Sequence, residues 1–229
     1  MSGVEKQNNI RTFLHEILRP FKSEMAMATS GGIDSASLVM AAKDLNKKQI
    51  IVSFTFDDFE SHDFKSARLL AKHFNIDFLP VILPSDQNEI VETVHYLIKE
   101  IKCKKKSAIE CMFPFVYLLK VLKANKIDML VTGLAADGHF GLSKKAMIHY
   151  SKDDEKFKRA RQEYFSTYES AHIIRLRTLC DINKICLLNP YFHPAVFDLW
   201  INKNWQELNK PRQKEAIKKY FPELDKFKI

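Results

Sequence analysis

The chain has 229 residues, 46% hydrophobic and 28% charged, so it can bury a substantial core beneath a soluble surface. Six glycines and eight prolines exclude collagen-like and low-complexity chains, and no uncharged apolar run is long enough to span a bilayer. The formal net charge of +8 is unevenly spread: residues 1–100 carry 11 Lys and Arg against 14 Asp and Glu, residues 101–229 carry 25 against 14.

An amphipathic helix is predicted over about 5–19, with Ile10, Phe13, Leu14, Ile17 and Leu18 at helical spacing and Pro20 ending it. Met25–Thr29 reads as a short strand and Asp34–Leu45 as a helix. Ile50–Phe56, rich in β-branched and aromatic residues, reads as a second strand. His62–Phe74 is predicted helical, Asp77–Leu83 a third strand and Asn88–Lys102 a helix. A further helix is expected over about 113–125, with Pro114 near its start, where a missing N–H costs little. Met129–Thr132 reads as a fourth strand.

Strands alternating with helices of this length argue an α/β fold, a parallel sheet with helices on both faces. The alternation stops after about 145, and the remainder reads as mostly helical and strongly charged. Pro190 and Pro194 bracket one turn, and Asn209-Lys210-Pro211 precedes the last helix. The expectation is a single domain over 1–229, with an α/β nucleotide-binding core at about 20–150 and a helical C-terminal extension at about 151–229.

Met27-Ala28-Thr29-Ser30-Gly31-Gly32-Ile33-Asp34-Ser35 is the most informative stretch. A strand enters a tight Ser-Gly-Gly turn and a helix starts at once. Two glycines allow close backbone approach to an anion, and the helix N-terminus adds its positive dipole end. Ser30 and Ser35 can donate to phosphate oxygens. An acid inside a phosphate site makes sense when a cation accompanies the phosphate, so Asp34 is a candidate Mg²⁺ ligand. The Walker pattern Gly-x-x-x-x-Gly-Lys-Ser/Thr is absent.

Ser30-Gly31-Gly32-Ile33-Asp34-Ser35 resembles the signature loop of the PP-loop ATP pyrophosphatases. The resemblance implies a HUP-type fold, adenine nucleotide alpha-hydrolase-like, and cleavage of ATP between its α and β phosphates, with AMP transferred to a substrate oxygen. Leu130-Val131-Thr132-Gly133-Leu134-Ala135-Ala136-Asp137-Gly138-His139-Phe140-Gly141 is similar to the asparagine synthetase segment Leu-Ser-Gly-Glu-Gly-Ser/Ala-Asp-Glu-Leu-Phe-Gly-Gly-Tyr. The stretch Arg177 to Phe197, with Asn189-Pro190-Tyr191-Phe192-His193, is similar to a later segment of that branch. Lys210 to Ala216 and Phe221-Pro222-Glu223-Leu224 resemble its next helix and its ending. The likeness spans about 25–225 and points to the synthetase domain of asparagine and β-lactam synthetases.

That likeness implies ATP and Mg²⁺ as cofactors. It makes Asp34 and Asp137 the catalytic acids and metal ligands, and Ser30, Gly31, Gly32, Asp34, Ser35, Ser53 and Gly133 the nucleotide-binding residues. In this fold the end of the second strand borders adenine, which singles out Ser53 to Phe56. Two acids beside a triphosphate would repel it without a cation. The departures lie on the nucleophile side. Leu134 stands where the family has Glu or Tyr, Gly138 where it has a second acid, Cys186 where it has a later Glu, and Leu188 where it has Arg. A leucine cannot take a proton, so the usual amide-forming base is missing.

Other signals are weaker. Lys102-Cys103-Lys104-Lys105-Lys106 reads as a solvated charge run. Cys103, Cys111, Cys180 and Cys186 lack Cys-x-x-Cys spacing, which disfavours zinc or an Fe–S cluster. With no secretory segment in view they read as reduced thiols of a cytoplasmic protein. His139, His149, His172 and His193 lie near the site loops, and His139 is the best placed to face a rewritten nucleophile pocket.

The expected function is an ATP-dependent, AMP-forming ligase that adenylates a carboxylate or similar oxygen for attack by a nitrogen nucleophile. Its expected partner is a small-molecule acceptor, with a homo-oligomer or a separate nitrogen-donating subunit as further possibilities and no membrane. Two alternatives stand beside it. One is modification of a nucleotide, tRNA or DNA base through an adenylated intermediate, motivated by the basic C-terminal half. The other is an ATP-binding module without turnover, motivated by the missing bases.

Overall fold

The computed structural model describes residues 9–57, 59–142, 144–166 and 172–227. Helix α1 covers Ile10–Leu18, and the first residues of its predicted span lie outside the described ones. Then follow β1 (Met25–Ala28), α2 (Ile33–Asp44), β2 (Gln49–Phe56), α3 (His62–Phe74), β3 (Asp77–Leu83), α4 (Gln87–Lys99), α5 (Lys106–Ala124) and β4 (Met129–Thr132). The C-terminal part adds α6 (Ala136–Phe140), α7 (Lys144–Tyr150), α8 (Asp154–Ser166), α9 (Ile173–Asn183), β5 (Cys186–Leu188), α10 (Pro194–Trp200), α11 (Trp205–Asn209) and α12 (Glu215–Lys218).

Five parallel strands form one sheet in the order β3-β2-β1-β4-β5. The chain moves outward from β1 through β2 and β3, then returns to the other side of β1. That reversal places a crevice at the C-terminal ends of β1 and β4, where open α/β sheets bind ligands. Side chains alternate between two buried faces. Met25, Met27, Ile51, Met129 and Val131 join one core, and Ala26, Val52 and Leu130 join the other.

The first core also takes in Tyr191, Val196, Trp200, Trp205, Leu208, Ile217 and Phe221, so the C-terminal helices cover that face together with α1 and α2. The second core is closed by α4, α5 and α9, through residues such as Leu97, Met112, Leu118, Leu122, Leu176 and Leu179. Tyr191 is fully buried and its hydroxyl lies 2.6 Å from the Ser37 hydroxyl of α2. Among the described residues no helix is long and apolar enough to cross a membrane.

Two elements differ from the sequence expectation. Helix α5 starts at Lys106, so Pro114 lies inside it. Pro114 cannot donate to the Glu110 carbonyl. Burial of Ala108, Met112, Phe115, Leu118, Leu119 and Leu122 offsets that loss. The strand alternation also does not stop at β4. Cys186–Leu188 pairs with Met129–Val131 as a three-residue edge strand, too short to stand out as a periodic pattern.

The turn after β1 packs against α3. Gly31 has φ +79°, and a Cβ there would lie 2.4 Å from Ser66 Cβ. Gly32 is extended, and its Cβ would meet only Ser30 Oγ, at 3.3 Å. Gly31→Ala is therefore expected to cost about 3 kcal/mol of unfolding free energy, from left-handed backbone strain plus overpacking. Gly32→Ala should cost under about 1 kcal/mol. Urea denaturation of the two variants checks this, and equal losses would show that the α3 contact is not what demands glycine.

Candidate ATP site

Strand β1 is centred in the sheet, so its C-terminal end is held rigidly. Thr29 donates its backbone N–H to the Val52 carbonyl at 2.9 Å and its hydroxyl to the Met27 carbonyl at 2.8 Å. The Ser-Gly-Gly turn is folded on itself. Ser30 N–H donates to Ser35 Oγ, and Gly32 N–H to Ser30 Oγ, each at 3.3 Å. Ser35 Oγ donates in turn to the Gly32 carbonyl at 3.1 Å. The N-cap of α2 is Gly32, which supplies no side-chain cap. The first N–H groups of a long buried helix thus keep their anion-binding capacity at the cleft.

Asp34 and Asp137 come together across the β1/β4 crevice. The Lys214 ammonium bonds to Asp34 Oδ2 and reaches Asp137 Oδ1 at 2.7 Å. Gly133 makes the approach possible. A Cβ there would lie 3.3–3.4 Å from the backbone and Cβ of Asp34 and Ser35. Ala135, with φ +74°, and Lys214, with φ +58°, hold left-handed backbone on either side of the acid pair.

Burial pushes the Asp34 carboxyl above the ordinary carboxylate range, against the pull of Lys214, and the Asp137 charge adds to that upward push. For Lys214, burial works downward, but the two carboxylates win and hold the ammonium above its usual value. Asp34 Oδ1 is buried without a protein partner. Two carboxylates around a cationic centre, one oxygen unsatisfied, form a hard-oxygen donor set that fits Mg²⁺ alongside phosphate oxygens.

These groups open onto a cleft of about 470 Å³. Ser30, Gly32, Asp34, Ser35, Ser53, Gly133 and Asp137 all line it. Gly31 faces α3 instead and shapes the turn. Ser53, on β2, and Asp137, beyond β4, lie on opposite sides of β1, which gives the cleft two ends. The lining also includes Asp63, Glu110, Cys111, Pro114, Phe115 and Tyr164, none of them assigned to the nucleotide site from the sequence. Lys214 was also missed. It sits in the stretch Arg212-Gln213-Lys214-Glu215, which by charge alone reads as a solvated helix start.

Several sequence candidates lie elsewhere. His139 is buried in the core. Its Nε2–H donates to the Tyr191 carbonyl at 2.8 Å and its ring stacks on Phe165. Burial drives its pKa down to about 3, so it is neutral and structural rather than a base in the cleft. The His193 ring accepts from Ala195 N–H and caps α10. Cys186 begins β5 opposite Met129, at the far end of β4 from Thr132, so its alignment with a site carboxylate places it away from the chemistry. Leu134 does lie in the cleft wall, packed against the α5 core.

A family model described as asparagine synthase matches residues 22–217. The chain belongs to the asparagine synthase family. Members of this family are PP-loop ATP pyrophosphatases, so the chain is an ATP-using enzyme of that kind. No protein of curated function matches the chain in sequence. Among solved structures it is similar to the U34-tRNA thiolase NcsA from Methanococcus maripaludis with its 4Fe-4S cluster. That similarity has 14% identity and a TM-score of 0.44, covering 97% of this chain and 73% of that one.

The acid pair generates a metal prediction. Lys214→Met leaves Asp34 buried beside Asp137 without a counter-charge. It should cost about 3 kcal/mol in EDTA. Mg²⁺ at ten times its Kd should restore about 1.4 kcal/mol, and the wild type, whose ammonium competes for the place, should respond less. Thermal unfolding with and without Mg²⁺ reads both effects. No Mg²⁺ response in the variant would remove the metal assignment.

A second prediction concerns acid lability. The folded-state pKa of His139 is depressed from 6.5 to about 3, so its contribution to stability is present above pH 6.5 and is lost as pH falls toward 3. Near pH 4.5 the loss should reach about 3 kcal/mol. His139→Gln, which keeps a donor for the Tyr191 carbonyl, should flatten that part of the profile. An unchanged slope in urea melts between pH 7 and 4.5 would place the acid lability elsewhere.

Proposed function

We propose that this protein is an AMP-forming ligase that adenylates a carboxylate or similar oxygen and passes the acyl group to a nitrogen nucleophile. The observation that carries the reading is the acid–ammonium–acid bridge of Asp34, Lys214 and Asp137 beside an uncapped helix N-terminus at the β1/β4 crevice. The arrangement matches a reaction whose leaving group is pyrophosphate, where negative charge grows on the bridging and terminal phosphate oxygens.

The parts divide as follows. The turn Ser30 to Gly32 and the α2 N–H groups receive the β and γ phosphates. Ser53 and the neighbouring β2 backbone border the adenine end. Asp34 and Asp137 would hold Mg²⁺, which supplies charge neutralisation for the departing pyrophosphate. The Lys214 ammonium, once displaced from the carboxylates, has its three donors for the α-phosphate region. The acceptor oxygen forms its bond to the α-phosphorus as the α–β bridging bond breaks, and the electron pair leaves with pyrophosphate. The nitrogen nucleophile then forms the new bond at the acyl carbon, and AMP leaves with the electron pair of the broken C–O bond.

Leu134 supports a substrate other than aspartate, because the wall that would face the attacking nitrogen is apolar there. On the α5 wall of the cleft, Glu110 is the carboxylate available to accept the amine's proton, held only by a loose 3.6 Å pair with the exposed Lys106. Ammonia, an amine substrate or a separate subunit supplies the nitrogen. Nucleic-acid modification shares the ATP half of this scheme and differs in acceptor. The basic C-terminal half favours it, and binding that falls steeply with salt would identify it.

Pyrophosphate release with a panel of acids and amines tests the reading. Asp34→Asn and Asp137→Asn are each expected to lower turnover at least ~100-fold, the scale of losing one preorganised electrostatic group. The double variant should lose little more, because both carboxylates serve one centre. Little or no asparagine should form from aspartate and ammonia. Unchanged turnover in Asp137→Asn would refute the assignment.

A further inference from the structure

We propose that a second cavity, opening beside Asp137 behind the Tyr164 ring, receives an apolar alkyl or aryl tail of the acceptor acid. The proposal rests on the adenylating reading above and names the substrate class for it. The cavity has a volume of about 510 Å³, and Asp137 and Tyr164 line both it and the ATP cleft. The two therefore adjoin at Asp137, with the Tyr164 side chain as the partition between them.

The direction suits an acyl tail. The adenine end lies toward β2, on one side of β1, and Asp137 lies beyond β4, on the other. A carboxylate bound at the α-phosphate enters in line with the departing pyrophosphate and extends its remaining atoms out of the nucleotide cleft, and the apolar space adjoining the cleft away from β2 is this cavity. There the cavity wall is Leu142, Tyr150, Phe157 and Ala160, with Arg161 behind.

Arg161 does not make this an anion pocket. Its Nη1 donates to the Trp200 carbonyl at 2.6 Å, and Nη2 to the Ile201 and Lys203 carbonyls at 3.0 and 2.7 Å. It caps the end of α10, its plane lies over the Phe157 ring, and its Nε is fully enclosed. Most of what remains for a ligand is apolar and aromatic surface, with charge at the Asp137 mouth and at the engaged Arg161 guanidinium behind the wall.

Gly138 explains how the partition is built. A Cβ at 138 would lie 2.2 Å from the Tyr164 ring, so only glycine lets that ring lie against the start of α6. The resembled synthetases carry an acid at this position, and here the carboxylate is replaced by an aromatic wall. Burial, together with the nearby Asp137 and Cys111, pushes the Tyr164 hydroxyl up to about 12, so it stays a neutral donor at the junction. A short, doubly charged acid would find no partner for its far end here. An alkyl or aryl acid would bury it.

The test uses unreactive acyl-adenylate mimics, 5′-O-(N-acylsulfamoyl)adenosines carrying acetyl, butanoyl, hexanoyl and octanoyl chains, titrated calorimetrically against the full chain. Kd is expected to fall about fourfold per added methylene until the cavity is filled. Ala160→Phe, which occupies the cavity, should abolish that dependence, with binding of the acetyl compound reporting that the variant is folded. Gly138→Ala, which drives the Tyr164 ring off its seat, should weaken the dependence by a separate route. A flat series in which every mimic binds would overturn the tail site and leave the adenylating reading standing. A length dependence unchanged in folded Ala160→Phe would also overturn it, by placing the tail elsewhere. If neither the mimics nor Mg²⁺·ATP bind, the adenylating reading itself fails and the tail site with it.

Discussion

The bridge from Lys214 to Asp34 and Asp137 is the interaction on which the rest of the structure turns. It spans 180 residues of sequence and joins three helix starts that no local preference would bring together. One carboxylate starts the helix after β1, the other sits in the helix after β4, and the ammonium comes from a left-handed residue ahead of α12. Asp34 and Lys214 would each be an expensive buried charge alone, while Asp137 stays open to solvent at the mouth of the crevice. Together, the ammonium offsets the negative charge of the two carboxylates.

That bridge explains why the C-terminal helices belong to the working unit. Placing Lys214 requires α11 and α12 to be fixed, and they are fixed by burying Trp205, Leu208, Ala216 and Ile217 in the same core as β1 and α2. Asn209 adds direction. Its side chain donates to the Phe140 carbonyl at 3.0 Å and accepts from Lys214 N–H at 3.2 Å, tying α6, α11 and the lysine backbone in one contact. Arg11 fastens the far end, pairing with Asp44 and Glu223 and donating to the Tyr220 carbonyl. The hydrophobic burial supplies most of the free energy, and the buried hydrogen bonds set the register.

How much of this was legible depended on locality. The turn Ser30-Gly31-Gly32 and Asp34 were legible because strand, turn and helix start are consecutive residues whose roles follow from backbone chemistry. The order β1 to β4 was legible because both sheet faces are buried and the strands are accordingly apolar. Strand β5 was not, because three residues carry no period. The start of α5 was not, because Pro114 reads as a boundary, while the tertiary burial of Met112 and Phe115 carries the helix through it. Lys214 was invisible for a different reason. A lysine among Arg212, Glu215, Lys218 and Lys219 looks like solvated surface until the fold turns it inward. His139 erred in the opposite direction. Two residues from Asp137 it reads as a site residue, but on a short helix that spacing rotates the side chain away from the cleft and into the aromatic core beside Trp200.

On the acceptor side of the cleft, Leu134 stands where the resembled synthetase segment has a base. Gly138 removes a second acid, and the vacated space is taken by the Tyr164 ring from α8. Both changes replace charge with apolar or aromatic surface, on the same side of β1, while every phosphate-side feature is retained. Random loss of activity would not be expected to spare the turn, the uncapped helix, Asp34, Asp137 and Lys214 together. Keeping a buried carboxylate with an unsatisfied oxygen costs stability, which a site that binds a ligand there offsets. The buried, incompletely satisfied charge lies at the β1/β4 crevice, and the apolar and aromatic surface lies beside Leu134 and Gly138.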